Sequence, residues 1–121
     1  MPTRSETPIY QQYLRLKNEN PDAILLVRLG DFYEAFGDDA ETWAQECNLV
    51  LTKRYVGGPE KYARMAGVPY HASEAYIEKL RQAGYNVAIA EPIGEAICGL
   101  VPRAVTRLYR RGGVGAEHLD P

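Results

Sequence analysis

The chain switches repeatedly between helical and extended hydrophobic patterns. Ile9, Tyr10, Tyr13, Leu14 and Leu16 fall on one helical face. They follow Thr7-Pro8, a capping hydroxyl with proline at the first helical position, where its missing N–H costs nothing. Asn20-Pro21-Asp22 ends this helix as a turn. Ala23–Leu29 (AILLVRL) is almost continuously apolar, too short for a good helix and bounded by turn residues, so it reads as a central strand buried on both faces. Gly30-Asp31 breaks or bulges that strand, and Phe32–Phe36 continues extended. Asp38, with Glu41 three residues on, is expected to cap a second helix in which Ala40, Trp43, Ala44 and Cys47 recur at helical spacing.

Residues 49–56 are rich in β-formers, Gly57-Gly58-Pro59 is a turn, and residues 63–69 return as a loose hairpin partner. Ser73 or His71 is expected to cap a third helix with Tyr76, Ile77 and Leu80 inward and Gly84 at its end. Residues 86–91 form another buried strand stopped by Pro92, 93–102 a loop, and 104–110 a last strand. The order α-β-α-β-β-α-β-β predicts an α/β (α+β) domain, one mixed sheet of about five or six strands with about three helices packed on it. One domain over residues 1–112, with 113–121 as a flexible tail, accounts for the whole length.

Composition changes this picture little. Hydrophobic residues make up 45% and charged residues 25%, ordinary for a globular domain. The net charge of -2 argues against a sequence-blind DNA binder held by phosphate contacts alone, because such domains are usually basic. Charge is uneven, however. Asp31, Glu34, Asp38, Asp39, Glu41 and Glu46 form a base-free stretch, while Lys53, Arg54, Lys61 and Arg64 outnumber Glu60, and Arg103, Arg107, Arg110 and Arg111 form an acid-free run. Cys47 and Cys98 lack metal-ligand spacing and read as reduced thiols, residues 1–6 carry no apolar signal core, and no apolar run reaches the roughly 18 residues a membrane span needs. A cytoplasmic protein without a membrane partner is expected.

Catalytic constellations are sparse. Gly112-Gly113 is followed by Val114 rather than by a lysine opening a helix, so no phosphate loop is present and no nucleotide cofactor is expected. His71 and His118 have no nucleophile or metal partner at useful spacing. Asp31, Glu34, Asp38 and Asp39 are enough carboxylates for a metal-dependent nuclease, but acids so placed more simply decorate a helix start, where the dipole favours them. No enzyme activity, metal or cofactor is expected. The segment that stands out is Gly30-Asp31-Phe32-Tyr33-Glu34, in which strand alternation puts Phe32 and Glu34 on one side and Tyr33 on the other. Two readings are open: Phe32 fills the core and Glu34 is solvated, or both are presented outward from the strand end.

That segment is similar to the mismatch-recognition motif of the MutS family of DNA repair proteins. Thr7-Pro8 with Gln11-Gln12-Tyr13-Leu14, Leu51-Thr52-Lys53-Arg54, Met65-Ala66-Gly67-Val68-Pro69-Tyr70-His71-Ala72, Val87-Ala88-Ile89, Glu91, Ile93-Gly94, Val101-Pro102-Arg103 and Val105-Thr106-Arg107 resemble the family's N-terminal domain in order. Ala90-Glu91-Pro92 departs from a usual Cys-Glu-Gln, and Arg110-Arg111-Gly112-Gly113 from a usual Thr-Pro-Gly-Thr. The resemblance implies that Phe32 stacks on a mispaired or unpaired base from the minor groove and that Glu34 hydrogen-bonds to it. It also implies that Lys53 and Arg54 contact phosphates and that Met65 and His71 line the groove beside the wedge. The implied partners are double-stranded DNA with a mismatch or distortion and other mismatch repair proteins. The family's connector, lever, clamp and ATPase domains have no counterpart in the resemblance, which implies that these residues alone do not perform ATP-gated sliding. An alternative is a protein-interaction or regulatory module that keeps the fold without independent DNA recognition.

Overall fold

Burial of Ala23–Leu29 on both faces organises the chain. In the computed structural model, which describes residues 6–113 and 115–120, this segment is β1 and has a strand on each side. Residues 1–5 of the polar N-terminal stretch, and Val114 and Pro121 of the C-terminal stretch, lie outside the described residues. The elements run α1 (Pro8–Glu19), β1 (Ala23–Leu29), β2 (Phe32–Phe36), α2 (Gly37–Cys47), β3 (Thr52–Gly57), β4 (Lys61–Pro69), a 3-10 turn (Tyr70–Ala72), α3 (Ser73–Gln82), β5 (Asn86–Pro92), β6 (Arg103–Tyr109) and β7 (Glu117–His118). They form one mixed seven-stranded sheet in the order β3-β4-β2-β1-β5-β6-β7. β1 pairs parallel with β5 and antiparallel with β2. This is the α+β architecture expected from the alternating patterns.

The interior divides by sheet face. Tyr13 and Leu16 of α1 pack on Leu25, Val27, Leu29, Phe36, Val56 and Ala88 on one side. On the other, Ala40, Trp43, Ala44 and Cys47 of α2 and Ile77 and Leu80 of α3 pack on Ile24, Leu26, Tyr33, Ala35, Val87 and Ile89. Alternation along β1 thus feeds both layers, which is why its sequence is apolar at every position but Arg28.

The structure resolves one local alternative and corrects other expectations. Gly30-Asp31 breaks the strand rather than bulging it. It closes a two-residue hairpin in which Leu29 pairs with Phe32, with Gly30 at a φ of 59° in the first central position, a conformation glycine adopts without strain. Asp38 does not cap α2. The helix begins at Gly37 behind an extended Phe36 with no side-chain cap, and the exposed Asp38 carboxylate lies 2.8 Å from Arg64 Nη2 of β4. Neither Ser73 nor His71 caps α3: the 3-10 turn feeds directly into the helix, and Ser73 Oγ donates back to the Tyr70 carbonyl at 2.8 Å. The stretch read as a tail contains β7, which pairs with Arg107 and Leu108 at the sheet edge.

Asp39, in the first turn of α2, is buried and ties three elements together. Its carboxylate accepts from the Leu25 N–H of β1 at 3.0 Å and from Lys17 Nζ of α1 at 2.9 Å. Removing it leaves the buried Leu25 N–H without an acceptor and takes from Lys17 its carboxylate partner, leaving the ammonium only carbonyls such as that of Ala23 at 2.6 Å. Asp39→Ala is therefore expected to destabilise the domain by about 2–3 kcal/mol, read as a lowered urea midpoint at unchanged m-value.

Candidate nucleic-acid interface

Strand alternation places Phe32, Glu34 and Phe36 on the α1 side of the sheet and Tyr33 and Ala35 on the other. Phe36 is covered, its ring packed on Tyr13 with centroids 4.9 Å apart. Phe32, at the other end of the same strand, is not: α1 lies against β1 and β6 and leaves this end of β2 open. Phe32 is 46% exposed. Burying a phenylalanine fully is worth roughly 1.5–3 kcal/mol, so part of that stabilisation is forgone here.

Phe32 stands at the lip of a groove of about 260 Å³ lined with Glu34, Val50, Thr52, Met65 and Gly67. The register explains the set. Phe32, Glu34 and Phe36 pair with Pro69, Gly67 and Met65 of β4, and Met65 pairs in turn with Thr52 of β3. All share the α1-side face of the sheet, covered over Phe36 and open over Phe32. Gly67 is what gives the groove its depth: a β-carbon there would lie 3.0 Å from Glu34 Cγ and 3.1 Å from the Tyr33 carbonyl oxygen. Another hollow, of about 540 Å³ between α1 and Leu100, contains none of the six residues expected to meet DNA.

Glu34 is only 8% exposed. Its Oε1 lies 3.3 Å from Arg54 Nη1. Burial pushes the Glu34 carboxyl above its ordinary range, and the Arg54 guanidinium opposes that shift. Lys53, the neighbour of Arg54 on β3, faces the opposite side, with its ammonium 4.8 Å from the Tyr62 ring centroid. The two basic residues expected to act together are therefore on different faces. His71 is exposed in the 3-10 turn, its ring edge-on to Tyr70 at 5.7 Å, and does not line the groove, whereas Met65 does.

The hairpin tip is held from behind. Arg28 Nε donates to the Gly30 carbonyl at 2.6 Å, its guanidinium stacks 3.6 Å from the Tyr70 ring centroid, and its Nη1 lies 3.7 Å from Glu91 Oε1. Tyr70 N–H donates to the Asp31 carbonyl at 2.8 Å. Tyr33, buried beneath, donates its hydroxyl to Glu91 and accepts from Arg107 Nη2 at 2.7 Å. Burial, with the Glu91 hydrogen bond, pushes the Tyr33 phenol up to about 12. The residues flanking Phe32 are thus fixed while its ring is free.

Most cations are neutralised internally. Arg15, Lys17, Arg28, Arg54, Lys61, Arg64, Arg81, Arg107 and Arg110 each pair with a carboxylate, leaving Lys53, Lys79, Arg103 and Arg111 without one among the described residues. The four carboxylates that suggested a nuclease are scattered. Asp31 sits in the hairpin turn, Glu34 in the groove, Asp38 on Arg64 and Asp39 in the interior, and no group of three or more metal-ligating side chains gathers among the described residues. No helix among the described residues is long and apolar enough to cross a membrane. Sequence reading missed Val50, Thr52 and Gly67 as groove residues, since only strand pairing brings them beside Phe32.

The family model of MutS domain I matches residues 7–118. The DNA mismatch repair protein MutS of Nitratidesulfovibrio vulgaris (strain DP4) is 51% identical over 115 residues, covering 93% of this chain and 13% of that protein. The DNA mismatch repair protein MutS of Symbiobacterium thermophilum is 49% identical over 117 residues, covering 95% and 13%, and that of Halothermothrix orenii 53% over 110 residues, covering 89% and 12%. The chain spans about an eighth of the length of these curated relatives. With the family model matching residues 7–118 and about half of the aligned residues identical in these relatives, the chain belongs to the MutS domain I family.

Proposed function

We propose that this domain recognises mispaired or distorted duplex DNA by inserting Phe32 between base steps, with Glu34 offering its carboxylate to the exposed base. The observation that carries the reading is a half-exposed aromatic ring on a braced hairpin, beside a carboxylate that faces the same groove. Insertion costs a few kcal/mol of unstacking, less where pairing is already defective, so selectivity arises from deformability rather than base identity. A carboxylate is repelled by the phosphates unless a base donor meets it, which penalises matched duplex more than mismatched. Met65 and the Val50 side chain supply apolar contact beside the wedge, and Lys53, free of any carboxylate among the described residues, meets a phosphate. His71 borders the hairpin tip through Tyr70. No catalytic step is assigned to this chain.

With few unneutralised cations, binding by the domain itself is weak, on the scale of roughly 10⁻⁴–10⁻⁶ M typical of non-specific binders. The same internal pairing favours a second reading, in which the domain keeps its fold as a module for contact with other repair proteins. A labelled duplex carrying one mismatch and its matched control, titrated at low salt, separate the two. The proposal expects tighter binding to the mismatch, reduced about tenfold or more in Phe32→Ala, with the thermal midpoint lowered by only a few degrees, because the residue is already about half in water. Equal affinity for both duplexes, indifferent to Phe32→Ala, refutes it and leaves the protein-contact reading.

Gly67→Ala tests the groove rather than the wedge. The added methyl must displace the Glu34 side chain or the Tyr33 carbonyl, so a loss of stability of about 1–3 kcal/mol is expected, together with a mismatch preference close to that of Phe32→Ala. The measurements are a urea melt and the same paired titration.

A further inference from the structure

We infer that Arg54 is a positioning residue for Glu34: it is the built-in counter-charge that keeps a groove-facing carboxylate ionised and aimed, rather than a group that binds phosphate. This rests on the mismatch reading above and deepens it. Arg54 reaches from the edge strand β3 across β4 to β2, and its Nη1 meets Glu34 Oε1 at 3.3 Å. One carboxylate oxygen is thereby fixed, while Oε2 has no hydrogen-bond donor among the described residues and is left for an incoming base. The neighbours of Glu34 on its own face are Val27 of β1, Phe32 and Phe36 of β2, and Gly67 and Met65 of β4, none of them titratable, so Arg54 is the one charged group acting on it.

The chemistry requires such a partner. Glu34 is buried, which favours its neutral form, and phosphates on either side of a groove push the same way. A protonated Glu34 is no longer repelled by matched duplex, so the penalty that separates matched from mismatched DNA disappears. A guanidinium engaged with a carboxylate is also a poor phosphate ligand, because binding DNA through it would first expose the charge it neutralises.

The two roles make opposite predictions for Arg54→Gln. If Arg54 binds a phosphate, its removal lowers the slope of log affinity against log salt by about 0.9 on matched and mismatched duplex alike. If Arg54 is the counter-charge, its removal leaves that slope alone and moves the titration of Glu34 upward. Below its raised pKa Glu34 is protonated and discrimination fails; above it the carboxylate is ionised and discrimination returns. The experiment measures both duplexes with the full chain, at several salt concentrations and between about pH 6 and 8, for the wild type, Arg54→Gln, Arg54→Lys and Glu34→Gln/Arg54→Gln, with the Glu34 carboxyl followed by NMR in the free proteins.

The expected result is a wild-type mismatch preference flat across this range. In Arg54→Gln the preference should fall about tenfold at the acid end and recover at the alkaline end, with unchanged salt slopes and a raised Glu34 titration. Arg54→Lys restores a flat profile, and the double variant has no pH dependence. Salt slopes that drop on both duplexes while the preference stays flat with pH overturn the inference and leave the wedge intact, as does an unmoved Glu34 titration. A wild type with no mismatch preference at all overturns the wedge, and this inference with it.

Discussion

One helix cannot roof a seven-stranded sheet. A helix is about 10 Å wide and strands are spaced about 4.8 Å apart, so a single helix covers roughly two or three of them. α2 and α3 share one face of the sheet, but α1 has the other largely to itself and lies over its middle, against β1 and β6. On that face the Phe32 end of β2 and the parts of β4 and β3 beside it are left without a helix, whereas Phe36, Val56 and Ala63 farther along the same strands are buried with Tyr13 and Leu16. Phe32 is the largest β2 residue at the open end. Phe36, four residues along the same strand, is buried under Tyr13, so the difference between a core phenylalanine and an exposed one is set by the reach of a twelve-residue helix.

The uncovered region is rigid where it must be. The hairpin turn is held by Arg28 and by the backbone of Tyr70, and Tyr33 is locked on the far side of the sheet by Glu91 and Arg107. Adjacent residues of one strand therefore have opposite duties, Tyr33 anchoring and Phe32 projecting, and the two-residue period of the strand separates them cleanly. A ring presented on a fixed support loses little entropy when it meets a partner. Glu34, next in line on the Phe32 side, is buried enough for its ionisation to depend on Arg54, which links the edge strand to the chemistry of the groove.

Much of this is readable in the amino-acid order. The three helices and the central strand carry strong periodicities, and the alternation that separates Phe32 from Tyr33 follows from strand geometry alone. What stays hidden depends on residues far apart in the chain. A glycine that bulges a strand and a glycine that turns a hairpin look alike, so local pattern does not distinguish β2 from a continuation of β1. Asp38 has a capping pattern, but Arg64 on β4 claims its carboxylate. Lys53 and Arg54 look like one basic pair in the sequence, but as neighbours on β3 they face opposite sides, and only the pairing of the strands puts Arg54 on the Glu34 side. The depth of the groove rests on Gly67 standing opposite Glu34, a consequence of register that no local pattern encodes.

The central claim is that DNA meets this domain chiefly on the open end of the α1-side face, around Phe32. Amide chemical shifts of the isotope-labelled domain, followed as a mismatched duplex is added, test it directly. The largest changes are predicted at Phe32, Glu34, Met65 and Gly67 and in the adjoining residues 50–52, with the α2 and α3 surfaces silent. Changes centred on α2 and α3, or none near Phe32, would contradict it.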